Sequence, residues 1–153
     1  MQPKRVHGFT LVELLVVFAI MGVFLAVVPS AMGKLRDAVA YRQTVQEIST
    51  LLRQARQQAR LQGLQTAVQF YTETRRFGLQ GQVLSDLDES LGMAVEVADI
   101  THTADGGRAI WFSPEGGSTG GSVAIVRTGT SPAVGVRLRV DWLSGLITQE
   151  ALE

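Results

Sequence analysis

A single carboxylate interrupts a long apolar run near the start of the chain. The run covers residues 9–28 (FTLVELLVVFAIMGVFLAVV), and within it only Thr10 and Glu13 are polar. A carboxylate inside a membrane-spanning helix is energetically costly, so Glu13 should have a partner or a function unless it lies solvated at the headgroup level. A cut between Gly8 and Phe9 would create an α-amino group at a depth similar to that of the carboxylate. The two opposite charges could then pair, within one chain or between staggered neighbours, and set the register of an assembly.

Gly8 is the small residue best placed for such a cut. It follows a short positive region that contains Lys4 and Arg5, which favours a cytoplasmic position for this end. An ordinary secretory signal is cut after its apolar stretch, whereas a cut after Gly8 leaves the stretch on the mature protein. About 20 helical residues rise roughly 30 Å, which matches the hydrocarbon core of a bilayer. Because the run is apolar on all sides, it predicts a membrane span and not a soluble core helix.

The glycine-rich segment at residues 113–121 (SPEGGSTGG) includes a possible nucleophile motif. Residues 116–120 fit G-x-S-x-G, but that elbow needs a strand before it, a helix after it and a later histidine. Here a strand pattern follows, and both His7 and His102 come earlier. No Gly-Lys-Ser/Thr closes a phosphate-binding loop. The segment is therefore predicted to be a flexible hairpin loop, and the chain is predicted not to be an enzyme.

Metal, cofactor and nucleic-acid sites are not expected. The chain has no cysteine, which excludes a disulfide framework and a thiolate metal site. The carboxylates Asp86, Asp88 and Glu89 lack EF-hand spacing and are interpreted as a solvated turn. The 14 basic and 14 acidic side chains cancel, so no global basic field favours nucleic acid. The helix arginines are diluted by glutamines and by Glu47, without interleaved aromatic side chains.

Two helical segments are predicted to carry the N-terminal residues. Residues 9–29 form the transmembrane segment. Pro29 and Gly33 could end the helix there, but the pattern that follows favours a restart or a kinked continuation. An amphipathic helix covers residues 30–63 and stops at Gly63. Its apolar face recurs at spacings of three or four, at Leu35, Ala38, Tyr41, Val45, Ile48, Leu52, Ala55 and Ala59.

Beyond the helix, the hydrophobic period changes to two, which predicts a β-rich domain over residues 64–153. Strands are predicted at residues 66–71, 77–79, 93–98, 109–112, 123–126, 134–142 and 146–148. Residues 82–92 and 99–108 are predicted to be surface loops. The fold class is therefore α+β, with a long N-terminal helix packed on an antiparallel sheet domain.

Residues 8–13 (GFTLVE) and the apolar run after them resemble the prepilin motif G-F-T-L-[IV]-E, which type IV pilins and the pseudopilins of type II secretion share. The resemblance implies a pilin-like fold and a leader of residues 1–8. It also implies cleavage by prepilin peptidase between Gly8 and Phe9, N-methylation of Phe9, and a role for Glu13 in docking into the filament.

A looser resemblance extends to the C-terminal half. Residues 110–116 (IWFSPEG), Gly120, Gly121 and residues 144–147 (SGLI) are similar to the GspH/FimT branch of pilin-like proteins. This resemblance implies a minor pseudopilin of type II secretion, at or near the tip of a periplasmic pseudopilus. Its partners would be other minor pseudopilins, the major pseudopilin, prepilin peptidase, the inner-membrane assembly platform and inner-membrane lipid. Its location would be the bacterial inner membrane, crossed once, with the C-terminal domain in the periplasm.

Two alternatives remain. A FimT/FimU-like minor pilin of a type IV pilus, involved in DNA uptake, would be favoured by a basic tail, whereas residues 149–153 (QEALE) are acidic. The missing cysteines also lean away from it. A membrane-anchored periplasmic enzyme would need a catalytic constellation, and none is recognisable.

Overall fold

The computed structural model describes residues 9–98, 103, 105–129 and 134–152, with the backbone alone described at residues 25–34. The predicted leader, including Gly8, and His102 lie outside the described residues. The chain divides into two compact units, residues 1–36 and residues 37–153.

One helix, α1, extends from Leu11 to Gln62 and comprises 52 residues. It continues through Pro29 and Gly33, which agrees with the predicted continuation and not with an end of the helix at these residues. Gly63 then stops it as predicted, because Gly63 has a φ of 68° and its N–H donates to the Ala59 carbonyl oxygen at 3.0 Å. No helix among the described residues is both long enough and apolar enough for a membrane crossing, so the span over residues 9–29 stays a prediction.

The β-domain contains eight strands in the described part of the chain, in two antiparallel sheets. The first sheet has the order β3-β2-β1-β5 and the second has the order β4-β6-β7-β8. The prediction of an α+β fold with an antiparallel sheet domain is confirmed. The strands are β1 Thr66–Tyr71, β2 Arg76–Leu79, β3 Ser85–Asp86, β4 Leu91–Glu96, β5 Arg108–Phe112, β6 Gly121–Arg127, β7 Gly135–Val140 and β8 Ile147–Leu152.

The core of the β-domain is organised around one face of α1. Val45, Ile48, Leu52, Ala55 and Ala59 are all at most 7% exposed. Residues spaced by three and four share one helix face, which is why this periodicity buries a continuous stripe. The stripe belongs to one cluster with side chains from both sheets, the largest being Phe70, Phe77, Leu79, Leu91, Ile110, Phe112, Ile125 and Leu138.

The predicted apolar face is wrong at Leu35. Leu35 is 62% exposed, whereas Ala38 and Tyr41 are half-buried. Among the described residues, the core cluster and the side chains packed against it begin at Tyr41, so Leu35 lies outside the buried stripe. A periodic pattern identifies a helix face, but it does not show where the covering sheet ends.

Two predictions about the β-domain loops also need correction. The predicted loop at residues 82–92 contains β3 and the start of β4. The glycine-rich segment is not a hairpin, because β5 pairs with β1 whereas β6 pairs with β4 and β7. Residues 113–120 therefore cross from one sheet to the other, and an isolated bridge joins Phe112 to Ser118.

Candidate functional site

The first candidate site is the N-terminal segment, defined as residues 9–24. Its large apolar side chains are exposed on every side of the helix, with Phe9 at 78%, Leu11 at 77%, Phe18 at 64% and Phe24 at 65%. Soluble monomers rarely expose a continuous apolar surface of this kind. The segment therefore needs lipid or another protein around it.

Thr10 fixes where this helix begins. Its hydroxyl oxygen accepts a hydrogen bond from the Glu13 N–H at 3.2 Å, and its carbonyl oxygen accepts one from the Leu14 N–H at 3.2 Å. These bonds make Thr10 the N-cap, which satisfies donors that the first turn would otherwise leave free. The pattern Thr-x-x-Glu is a capping signature that the sequence reasoning missed.

Capping also determines the position of Glu13. The carboxylate lies in the first turn, where the helix dipole favours an anion. Within the described residues, Glu13 has no salt bridge. Gly8 is outside the described residues, so of the three predicted site residues the structure places Phe9 and Glu13, four residues apart around the N-cap.

The second candidate site is the turn cluster, where residues 113–121 meet residues 141–146. The Ser118 N–H donates to the Trp142 carbonyl oxygen at 2.8 Å, and the Ser118 hydroxyl donates to the Asp141 carbonyl oxygen at 2.9 Å. The same hydroxyl oxygen accepts from the Gly120 N–H at 3.0 Å. Ser118, the serine of the G-x-S-x-G pattern, thus joins the two segments by hydrogen bonds, and the prediction of a flexible hairpin loop is wrong.

Asp141 and Ser144 shape the turn between β7 and β8. The Asp141 carboxylate accepts hydrogen bonds from the Ser144 N–H at 2.8 Å and from the Ser144 hydroxyl at 2.7 Å. These bonds stabilise the charged form, so they lower the pKa of Asp141. Asp88 has the same arrangement with Ser90, and its pKa is lowered for the same reason.

Arg56 connects α1 to this turn. Its guanidinium donates to the Ser144 carbonyl oxygen at 2.9 Å. Gly145 has a φ of 62°, and a Cβ there would lie 2.9 Å from the Gly116 carbonyl oxygen and 3.2 Å from the Arg56 Nε. A glycine is required because helix, turn and glycine-rich segment converge at this point. The sequence alone gives no signal that would indicate this partner of Arg56.

The surface of the turn cluster is apolar and open. Trp142 is 67% exposed, Leu143 69% and Leu146 54%. Beside them lies a groove of about 400 Å³ whose lining side chains include no titratable group. In the described part of the chain, no three His, Asp or Glu side chains cluster as a metal site would require. The chemistry available here is apolar contact and hydrogen bonding, which suits a protein neighbour.

Two family models match this chain, one near its N terminus and one over most of the remaining residues. Residues 3–29 match the model of the prokaryotic N-terminal methylation motif, and residues 44–144 match the model of the type II transport protein GspH. None of the curated protein sequences matches this chain significantly.

Two solved structures of the minor pseudopilin EpsH, from the type 2 secretion system of Vibrio cholerae, have a similar fold. One aligns with a TM-score of 0.59 and 19% identity over 72% of this chain and 96% of its own. The other aligns with a TM-score of 0.56 and 19% identity over 74% of this chain and 95% of its own.

Proposed function

This chain belongs to the GspH family of type II transport proteins, and we propose that it acts as a minor pseudopilin, a structural subunit of the pseudopilus that supports protein export. One observation carries the proposal. A prokaryotic N-terminal methylation motif at residues 3–29 precedes a GspH domain at residues 44–144 in a single chain. The FimT/FimU-like minor pilin is not favoured, because the domain match is to the secretion family.

The N-terminal segment would supply the membrane anchor and later the filament core. Its apolar side chains are exposed all round, which fits lipid before assembly and neighbouring helices afterwards. Prepilin peptidase would cut between Gly8 and Phe9, and the new Phe9 amine would be methylated. Glu13 would pair with the amine of a neighbouring subunit, since a carboxylate in an apolar environment needs a cation to offset its desolvation.

The β-domain would lie in the periplasm and offer surfaces to other pseudopilins. We place the subunit at or near the tip, where minor pseudopilins and the major pseudopilin would be its neighbours. The inner-membrane assembly platform would extract it from the bilayer. The turn cluster suits such contacts, because exposed Trp142 and Leu143 lie on a framework held by Ser118 and Arg56.

Deletion of the gene in its own host tests this function. We expect proteins exported by type II secretion to accumulate in the periplasm, and a plasmid copy of the gene to restore export. Twitching motility and DNA uptake, measured in the same strains, should be unchanged. Normal export together with lost twitching or lost uptake would instead support the minor-pilin alternative.

A further inference from the structure

Strand β8 is the most exposed element of the β-domain. It forms one edge of the second sheet and pairs only with β7 among the described strands. Residues 148–151 are exposed on both faces of the strand. An edge strand of six residues with both faces exposed offers a row of backbone donors and acceptors to any extended chain.

The two edges of the first sheet are blocked. β3 is only two residues long, and its Ser85 hydroxyl donates to the Glu47 carboxylate on α1 at 2.5 Å. The edge of β5 is covered by the crossover segment, where the Thr119 N–H donates to the Trp111 carbonyl oxygen at 3.0 Å. The Trp111 N–H in turn donates to the Thr119 hydroxyl oxygen at 3.1 Å.

The other edge of the second sheet, β4, is blocked by arginine side chains. Arg75 donates to the Leu91 carbonyl oxygen at 2.8 Å, and Arg108 donates to the Val95 carbonyl oxygen. Each guanidinium occupies an acceptor that an incoming strand would need. Such protection is the usual treatment of an exposed edge, which makes the open edge of β8 notable.

The register shows which backbone groups of β8 point outward. The Asp141 N–H donates to the Leu146 carbonyl oxygen, and residue pairing then continues from Val140 with Ile147 to Gly135 with Leu152. Hydrogen-bonded and non-hydrogen-bonded pairs alternate along an antiparallel ladder. Counting from the Asp141–Leu146 pair, the amides and carbonyls of residues 147, 149 and 151 face away from β7. No hydrogen bond to another described residue engages these groups.

A polar groove of about 370 Å³ lies between α1 and β8. It is lined by Val45, Gln46, Ser49, Thr50, Arg53 and Gln149. Arg53 is exposed, and no carboxylate of the described residues lies within salt-bridge distance of it. Arg56 and Arg60 follow at helical spacing on the same side of α1, and no acidic residue lies between Glu47 and Gln65. The groove therefore joins an open strand edge to a cationic helix face.

We propose that β8 accepts an extended segment of another pseudopilus subunit as a fifth strand of its sheet, with a carboxylate of that segment paired to Arg53. Only an extended backbone supplies donors and acceptors at the spacing of β8, and the arginines select an acidic strand over a basic one. The added strand would lie above the groove beside α1. The identity of the partner as a pseudopilus subunit rests on the proposed function, whereas the open edge does not.

Amide hydrogen exchange tests the strand addition directly. The full-length protein is measured alone in detergent and again in assembled pseudopili. We expect the amides of Ile147, Gln149 and Ala151 to exchange at least about tenfold more slowly in the assembly, with little change at Thr148 and Glu150, which β7 already binds. Unchanged exchange at the three outward amides in the assembly overturns the proposal. Slowing in the free protein that depends on its concentration also overturns it, because a second copy would then be the occupant.

Matched substitutions separate backbone and charge contributions. Gln149→Pro removes an outward N–H without removing a bond to β7, whereas Gln149→Thr keeps that N–H. We expect Gln149→Pro to reduce co-purification of the protein with the other pseudopilus subunits about tenfold. Gln149→Thr should reduce it less than about twofold. Arg53→Glu should reduce co-purification as much as Gln149→Pro does. Arg42→Glu, at an exposed position outside the groove, should co-purify as well as wild type.

Thermal melts of the purified variants test whether each one is folded. If Gln149→Pro is not folded, amide exchange in the assembly remains the deciding measurement. Equal recovery of all four variants refutes strand addition while leaving the proposed function intact. Absence of the wild-type protein from pseudopili refutes the proposed function itself and, with it, the partner named here.

Discussion

The two ends of α1 differ in what surrounds them. From Leu11 to Phe24 the apolar side chains are exposed on every side, whereas from Val45 to Ala59 one stripe is buried against the sheets. Intrinsic helix propensity contributes little to this difference, because packing of an amphipathic face supplies most helical stability in water. The C-terminal part of the helix is held by the fold of its own chain, and the N-terminal segment depends on partners outside it. Substitutions in the two parts should therefore affect different properties.

The largest effect is expected at the junction before the N-terminal segment. Gly8→Leu should prevent cleavage, because a bulky side chain replaces the only small residue in front of Phe9. The precursor should then keep its eight-residue leader and stay out of pseudopili. Mass spectrometry of the protein from cells that contain prepilin peptidase measures this outcome, with His7→Ala as a neighbouring control. A Gly8→Leu product with the mass of the chain that begins at Phe9 would show that cleavage does not require Gly8.

Substitutions in the two parts of α1 should differ clearly in how much they lower the stability of the fold. Leu52 is fully buried, so Leu52→Ala should lower the free energy of unfolding of the β-domain by about 2–5 kcal/mol. Leu15 is 62% exposed, so Leu15→Ala should change it by less than about 0.5 kcal/mol. Chemical denaturation of both variants in detergent gives the comparison. A comparable loss for Leu15→Ala would mean that the N-terminal segment also contributes to the domain fold.

The carboxylate of the N-terminal segment should affect assembly and leave folding intact. Glu13→Ala removes the proposed partner of a neighbouring amine, and we expect about tenfold less incorporation into pseudopili. Membrane insertion and the thermal midpoint of the β-domain should match wild type. Val16→Ala, in the same segment, controls for lost apolar volume. Wild-type incorporation and export in Glu13→Ala cells would contradict the pairing.

The regular elements of this fold could be predicted because their patterns are strong. The strands at residues 66–71, 109–112 and 123–126 match β1, β5 and β6 closely, because each is an apolar run between turn residues. The stop at Gly63 was predictable from its conformational freedom alone. The alternating pattern of β7 also identified it, with Leu138 and Val140 facing the core.

The missed elements lack such a pattern. Only residues 146–148 were predicted as a strand, whereas β8 continues to Leu152 through the exposed residues 149–151 (QEA). An edge strand exposed on both faces has no reason to alternate, so periodicity does not reveal it. The sequence also does not show which strands belong to the same sheet, which is why the crossover at residues 113–120 was mistaken for a hairpin. The candidate site at the N terminus was recognisable from residues 8–13, but Arg56 and the open edge of β8 depend on tertiary contacts.

The smallest expected effect concerns the pH dependence of the turn cluster. Hydrogen bonds from Ser144 lower the pKa of Asp141 below its ordinary value of about 3.9. The ionised carboxylate therefore stabilises the fold above that value, and this contribution is lost as the pH falls through the lower folded pKa. Asp141→Asn keeps an acceptor for Ser144 but cannot titrate, so its thermal midpoint should fall less than that of wild type on acidification below about pH 4.

Asp88→Asn, where Ser90 plays the same part, is a second test of this effect and should show a similar small difference. Because Asp141 is exposed, solvent screens the effect and keeps it small. Parallel acid curves for wild type and Asp141→Asn would mean that the turn is held by the carbonyl contacts of Arg56 and Ser118 without help from the carboxylate charge.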